Sequence, residues 1–101
     1  MATKLITVSR AKAEAKRLLH YIDLAESYEA DTLDKLIIKE YAFTNSIAEI
    51  VRRFNAKGYK VNGQDLDHQY VANVIKSKAS SELHRVLKSG YMKKINHSRN
   101  H

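Results

Sequence analysis

Apolar residues recur at spacings of three and four along the first quarter of the chain. Val8, Ala11, Ala15, Leu18, Ile22 and Ala25 fall on one stripe of a helix of about 18–20 residues, with Thr7 or Ser9 as its N-cap. The stripe has a coiled-coil period, but three of its residues are alanines. It can therefore approach a neighbouring helix closely while burying little apolar area per residue. Such a face packs within its own chain or forms a dimer contact through Ala11, Ala15, Leu18 and Ile22. A second helix follows Asp31 and Thr32, with Leu33, Leu36, Ile37 and Tyr41 on its core face.

Ser46-Ile47-Ala48-Glu49 reads as a capping box, in which the Ser46 hydroxyl accepts from the Glu49 N–H and the Glu49 side chain reaches back to the Ser46 N–H. The third helix it opens carries Ile47, Ile50, Val51 and Phe54 on one face and ends at Gly58, which is free to adopt the left-handed conformation. Asn62-Gly63 marks a tight turn after short extended residues Tyr59 to Val61. Asp65 can cap a fourth helix running to about Lys78, and Ser80 or Ser81 can cap a fifth that ends at Gly90. Without proline and with only three glycines, the chain reads as all-α: a single helical domain over residues 1–91 of about five helices, then a basic, frayed tail over residues 92–101.

Charge sharpens the picture. The net charge of +7 divides into +4 over residues 1–17, −5 over 18–49 and +8 over 50–101. A basic half of this kind points to a polyanionic partner, duplex DNA first, because the exposed bulky apolars of a membrane-surface helix are not evident. No apolar run is long enough to span a bilayer, residues 1–10 lack the apolar region of a secretory signal, and there is no cysteine, so the reading is of a cytoplasmic protein.

The third and fourth helices, over residues 46–78, make a helix-turn-helix-like unit. Tyr70 or Val71 with Val74 and Ile75 locks the fourth helix onto the third. The remaining face of the fourth helix then holds Asp67, His68, Gln69, Asn73 and Lys76, with Ala72 at its margin. Gln69 and Asn73, four apart, can each pair bidentately with adenine, and Lys76 can meet guanine or a phosphate. His68, Gln69, Asn73 and Lys76 are thus the candidate base contacts, and Arg52, Arg53, Lys57, Lys60 and Lys78 the candidate phosphate contacts.

The run Ser46-Ile-Ala-Glu-Ile-Val-Arg-Arg-Phe-Asn-Ala-Lys-Gly-Tyr59, then Gly63, then Val71-Ala-Asn-Val-Ile75, resembles the C-terminal helix-turn-helix of serine recombinases and resolvase-like proteins. Phe54-Asn55-Ala56-Lys57-Gly58 stands where those segments carry Leu-Asn-x-x-Gly, and the likeness covers about a third of the chain. It implies that the fourth helix reads DNA, with no counterpart here of the family's catalytic domain. Lys4-Leu5-Ile6-Thr7-Val8-Ser9 before a helix also looks like the opening of ribbon-helix-helix repressors, whose paired N-terminal strands enter the major groove.

Other chemistry finds little footing. His97 and His101 have an i,i+4 spacing without further ligands, and Asp65, Asp67 and His68 are read as a helix cap and polar face, not a metal cluster. No serine sits in a glycine-flanked elbow and no glycine loop cradles phosphate, so neither enzyme activity nor a cofactor is expected. The expectation is a small DNA-binding protein, a homodimer acting as a transcriptional regulator or as a phage or plasmid DNA-associated factor. The competing expectation is an interaction module, an adaptor or inhibitor that docks a protein partner through the first helix or the acidic segment after it.

Overall fold

The computed structural model describes residues 6–99. Five helices follow in order: α1 (Val8–Ser27), α2 (Leu33–Thr44), α3 (Ile47–Ala56), α4 (His68–Lys76) and α5 (Glu82–Arg99), with a two-stranded hairpin, β1 (Lys60–Val61) and β2 (Gln64–Asp65), between α3 and α4. The fold is all-α, and no described helix is long and apolar enough to cross a membrane. Helix α2 lies at the centre and touches each of the other four. All five helices contribute to one core, from Ala25 of α1 through Ile37, Ile38 and Tyr41 of α2, Ile50 and Phe54 of α3 and Val71 and Ile75 of α4 to Leu83 and Leu87 of α5.

Local chemistry sets most of the boundaries. Thr7, Thr32, Ser46 and Ser81 each accept a hydrogen bond from the backbone N–H three residues on, satisfying a donor that a helix start leaves without a partner. The capping box is only half formed. Glu49 turns away from the Ser46 N–H to pair with Arg52 and Arg53, and Ser46 N–H donates to Thr44 Oγ1 instead. Helix α3 ends in a Schellman arrangement: Tyr59 N–H donates to Phe54 O and Gly58 N–H to Asn55 O, with Gly58 at φ +88°. The Phe54 and Tyr59 rings, 5.1 Å apart, make the apolar contact that accompanies such a cap. Asn62 and Gly63, at φ +53° and +78°, give the left-handed pair required by a type I′ turn, so Asn62-Gly63 closes a hairpin with Val61 opposite Gln64.

Three expectations need correction. Asp67, not Asp65, caps α4, accepting from Tyr70 N–H at 2.8 Å. Asp65 lies in β2 and pairs across the hairpin with Lys60 at 2.5 Å. Gly90 does not end α5, which continues to Arg99, so much of the expected frayed tail is helical. The glycine costs about 1 kcal/mol against alanine there. Just beyond it, Tyr91 packs edge-on to Tyr41 at 6.2 Å, which favours continued helix. Of the six residues that carry the ribbon-helix-helix likeness, Lys4 and Leu5 lie outside those described, Ile6 and Thr7 form no strand, and Val8 and Ser9 already belong to α1.

Helix α1 behaves differently from the rest. Every residue from Ile6 to His20 is exposed, and Ala25 is its only buried residue. Its inner end is held to the body by Tyr21, Leu24 and Ala25 and by His20, whose Nε2 lies 2.8 Å from Glu82 Oε2. The radius of gyration, 16.2 Å, exceeds the roughly 13 Å of a compact chain this long.

Candidate nucleic-acid interface

Helix α4 is built with two faces. Val71, Ala72, Val74 and Ile75 are buried, while His68, Gln69 and Asn73 are exposed and Lys76 is half-buried. At 100° per residue, Gln69, Asn73 and Lys76 share an arc of about 60° pointing away from the core. Gln69 Nε2 donates to Asn73 Oδ1 at 3.0 Å, so the two amides are held side by side. Ala72, expected at the margin of this face, belongs to the core at 4% exposure, where its small side chain faces the neighbouring helices.

What fixes α4 against α3 is a residue to which the sequence assigned no role. Asn55 donates from Nδ2 to Leu66 O at 2.9 Å and accepts at Oδ1 from Leu66 N–H at 2.8 Å. Leu66 is buried between the hairpin and the Asp67 cap, so this amide clamp sets where α4 begins. The Asn55 position in the recombinase-like motif was the available signal. At the other end His84, buried at 5% exposure, faces Ile75 O from Nε2 at 3.0 Å. Because a carbonyl oxygen only accepts, that nitrogen carries the proton, and it satisfies a carbonyl in the last turn of α4.

Tyr70, at the side of α4, donates its hydroxyl to Asp34 of α2. This hydrogen bond, then burial, then the charge of Asp34 push its phenol up to about 12. A group raised in the folded state contributes stability that is complete below the unfolded value of about 10 and is lost as pH climbs towards 12. Tyr70→Phe is expected to cost about 1 kcal/mol at neutral pH, the lower part of the range for a bond to a charged group because the pair is partly solvated. Urea unfolding of both proteins at neutral pH and above pH 11 checks it, the difference between them shrinking in alkali.

The candidate phosphate contacts divide into two groups. Arg52 and Arg53 both pair with Glu49, Arg53 at 2.7 Å, and Arg53 also reaches Glu40 at 3.0 Å. The side-chain hydrogen bonds from Arg52 and Arg53 hold the Glu49 carboxyl below its ordinary range, and Glu49 in turn raises Arg53. Lys60 is occupied by Asp65. Lys57, at the C-cap of α3, and Lys78, two residues beyond α4, make no ion pair among the described residues. The same is true of Lys76, Arg85, Lys88, Lys93 and Lys94, and of Arg10, Lys12 and Lys16 on α1, so the positive charge available to a polyanion lies on α5, on the connections beside α4 and on the outer half of α1.

His68 borders an open groove of about 340 Å³ at the starts of α3 and α4, together with Asn45, Ser46 and Lys94. The continuation of α5 beyond Gly90 brings Lys94 to this groove. The candidate dimer residues Ala11, Ala15, Leu18 and Ile22 are all exposed and none is part of the core. His97 and His101 lie outside the residues whose side chains are described. Comparison of the chain with protein-family models, with curated proteins and with solved structures gave no significant match in any of the three.

Proposed function

We propose that this chain binds duplex DNA, with α4 laid in the major groove and lysines on either side of it holding phosphates. The observation that carries the reading is the outward arc of Gln69, Asn73 and Lys76 on a helix whose opposite face is locked in the core. Side-chain amides have the paired donor and acceptor that adenine presents in the major groove, and a lysine supplies the donor that guanine accepts. The mutual bond of Gln69 and Asn73 holds the amides in place before any partner arrives, which lowers the ordering cost of contact. The hairpin makes the α3–α4 connection longer than in a compact helix-turn-helix, and the Asn55 clamp compensates by fixing the two helices directly.

Lys57 and Lys78 are the main phosphate contacts of this reading, and His68, about 80° outside the arc on the groove it shares with Ser46 and Lys94, contributes less to base contact. Arg52, Arg53 and Lys60 bind phosphate only by giving up carboxylate partners, so their contribution is smaller. A transcriptional regulator or a phage or plasmid DNA-associated factor would use such a module, and the reading requires no chemistry at the site.

Gln69→Ala and Asn73→Ala are each expected to lower affinity for a selected preferred site by about 1–3 kcal/mol while leaving random-sequence binding nearly unchanged. Lys57→Ala and Lys78→Ala should weaken all duplexes alike and reduce the salt slope by about 0.9 each. Competition titrations with selected and random duplexes separate the two patterns. If the amide variants lost affinity equally for every sequence, α4 would not be the reading element.

A further inference from the structure

Seven of the eight large apolar side chains exposed among the described residues gather around α1. Ile6, Val8, Leu18, Leu19 and Ile22 lie on it or at its start, Phe43 of α2 borders Ile22 in an apolar groove of about 350 Å³, and Val86 of α5 lines a second groove with Leu18. At 100° per residue, Val8, Ala11, Ala15, Leu19 and Ile22 share an arc of about 80° that nothing in the described chain covers. Residues 8–17, the outer half of the helix, are all exposed, and isolated helices of fewer than about 12–15 residues are marginal in water. This segment is therefore built to be completed by a partner.

The charges of α1 say which partner. Residues 8–20 hold Arg10, Lys12, Lys16 and Arg17 against Glu14, a net +3, whereas Asp23, Glu26, Glu29 and Asp31 give residues 21–31 a net −4. The order opposes the helix dipole: no acid stands in the first turn and no base in the last. A second α1 lying antiparallel would reverse both faults. Its acidic end would lie beside the basic, dipole-positive start, and its dipole would oppose that of the first helix. A parallel partner would set like charges together. DNA could satisfy the basic half but would be repelled by the acidic one.

We propose that two copies of this chain associate through α1, antiparallel about a two-fold axis near Leu19. Lys12 and Glu26 are each seven residues from Leu19, about 10 Å along the helix in opposite directions. The two-fold axis therefore sets Lys12 of each copy beside Glu26 of the other, with Lys16 and Asp23 on the same flank. Leu19, Ile22 and Ala15 fill the seam, and Phe43 and Val86 extend its apolar margin. Leu19, at 66% exposure, joins the face that periodicity alone had assigned to Ala11, Ala15, Leu18 and Ile22. The pairing is isologous and closes at two, so it gives a dimer and not a filament. It goes beyond the DNA-binding reading and does not depend on it.

Sedimentation equilibrium of the full chain with two charge-reversed variants tests this pairing. The wild type is expected to be a dimer. K12E/K16E and D23K/E26K should each dissociate about tenfold or more readily, because each sets like charges along the seam. Mixed in equal amounts, the two variants should recover a heterodimer, since their reversed charges again oppose. All four positions are exposed, and circular dichroism verifies that each variant is folded. A wild-type monomer at about 100 µM, variants that dimerise as well as wild type, or a mixture that forms no heterodimer would each overturn the proposal. A monomer that binds DNA would overturn this inference alone, and a dimer that does not bind DNA would overturn the DNA-binding reading alone.

Discussion

Ile75→Ala is expected to destabilise the protein by about 3–4 kcal/mol, within the range measured when a fully buried isoleucine or leucine is cut to alanine. Ile75 is 0% exposed in the last turn of α4 and belongs to the core shared with Ile37, Ile38 and Leu83. The loss has two parts: the transfer of the missing methylene and methyl groups, and the cavity left where neighbouring side chains relax only in part. The backbone carbonyl of residue 75 stays bonded to His84, so the substitution tests packing and not hydrogen bonding. Against a total of about 5–15 kcal/mol for a domain, this is a large fraction. It should lower the thermal midpoint by more than about 10 °C. Guanidinium unfolding followed by circular dichroism checks it: a lower midpoint with an unchanged slope identifies lost stability, and a loss below about 1 kcal/mol would mean that α4 does not sit against the core as described.

Asn55→Ala is expected to cost about 2–3 kcal/mol although it removes few apolar contacts. Both hydrogen bonds of the amide go to the backbone of Leu66, which is buried, so alanine would leave a donor and an acceptor there without partners. Asn55→Asp separates the two bonds. A carboxylate still accepts from the Leu66 N–H but faces the Leu66 carbonyl with a second acceptor, so this variant should also be destabilised. Because the clamp fixes the start of α4, amide exchange should rise first in the hairpin and the first turn of α4, while α2 and α5 remain protected. The same variant should lose discrimination between duplexes even though Asn55 itself contacts none, since the amides of Gln69 and Asn73 would no longer be held in one position.

Much of this architecture was legible in the sequence because short-range chemistry fixes it. Hydroxyls at Thr7, Thr32, Ser46 and Ser81 start helices, Gly58 stops one, and Asn62-Gly63 closes a hairpin, each through contacts no more than about five residues apart. The errors arise where a competing contact decides, near in the chain or far. Gly90 resembles a stop until Tyr91 meets Tyr41 across the fold, and Asp65 resembles a cap until the hairpin pairs it with Lys60. Glu49 left its capping box because Arg52 and Arg53 offer a charged partner where Ser46 N–H offers a neutral one.

The candidate site was legible to a similar depth. Periodicity placed Gln69, Asn73 and Lys76 on the outward face of α4, since the buried positions of a nine-residue helix leave that arc and no other. The pairing of Glu49 with Arg52 and Arg53, three and four residues on along one helix, was within its reach, whereas Glu40, thirteen residues from Arg53, and the Lys60 partner, set by the hairpin register, were not. The exposure of the α1 stripe was equally beyond reach. A run such as Val8 to Ala25 reads alike whether its cover comes from its own chain or from another, and only the packed structure distinguishes them.

The role proposed for the free positive charge and the polar arc of α4 is to hold duplex DNA. A titration of the full chain against random-sequence duplex at two salt concentrations tests it most directly. Binding is expected whose affinity falls steeply with salt, with a log–log slope near −0.9 for each phosphate neutralised. Binding that ignored salt, or no binding even at low salt, would contradict it.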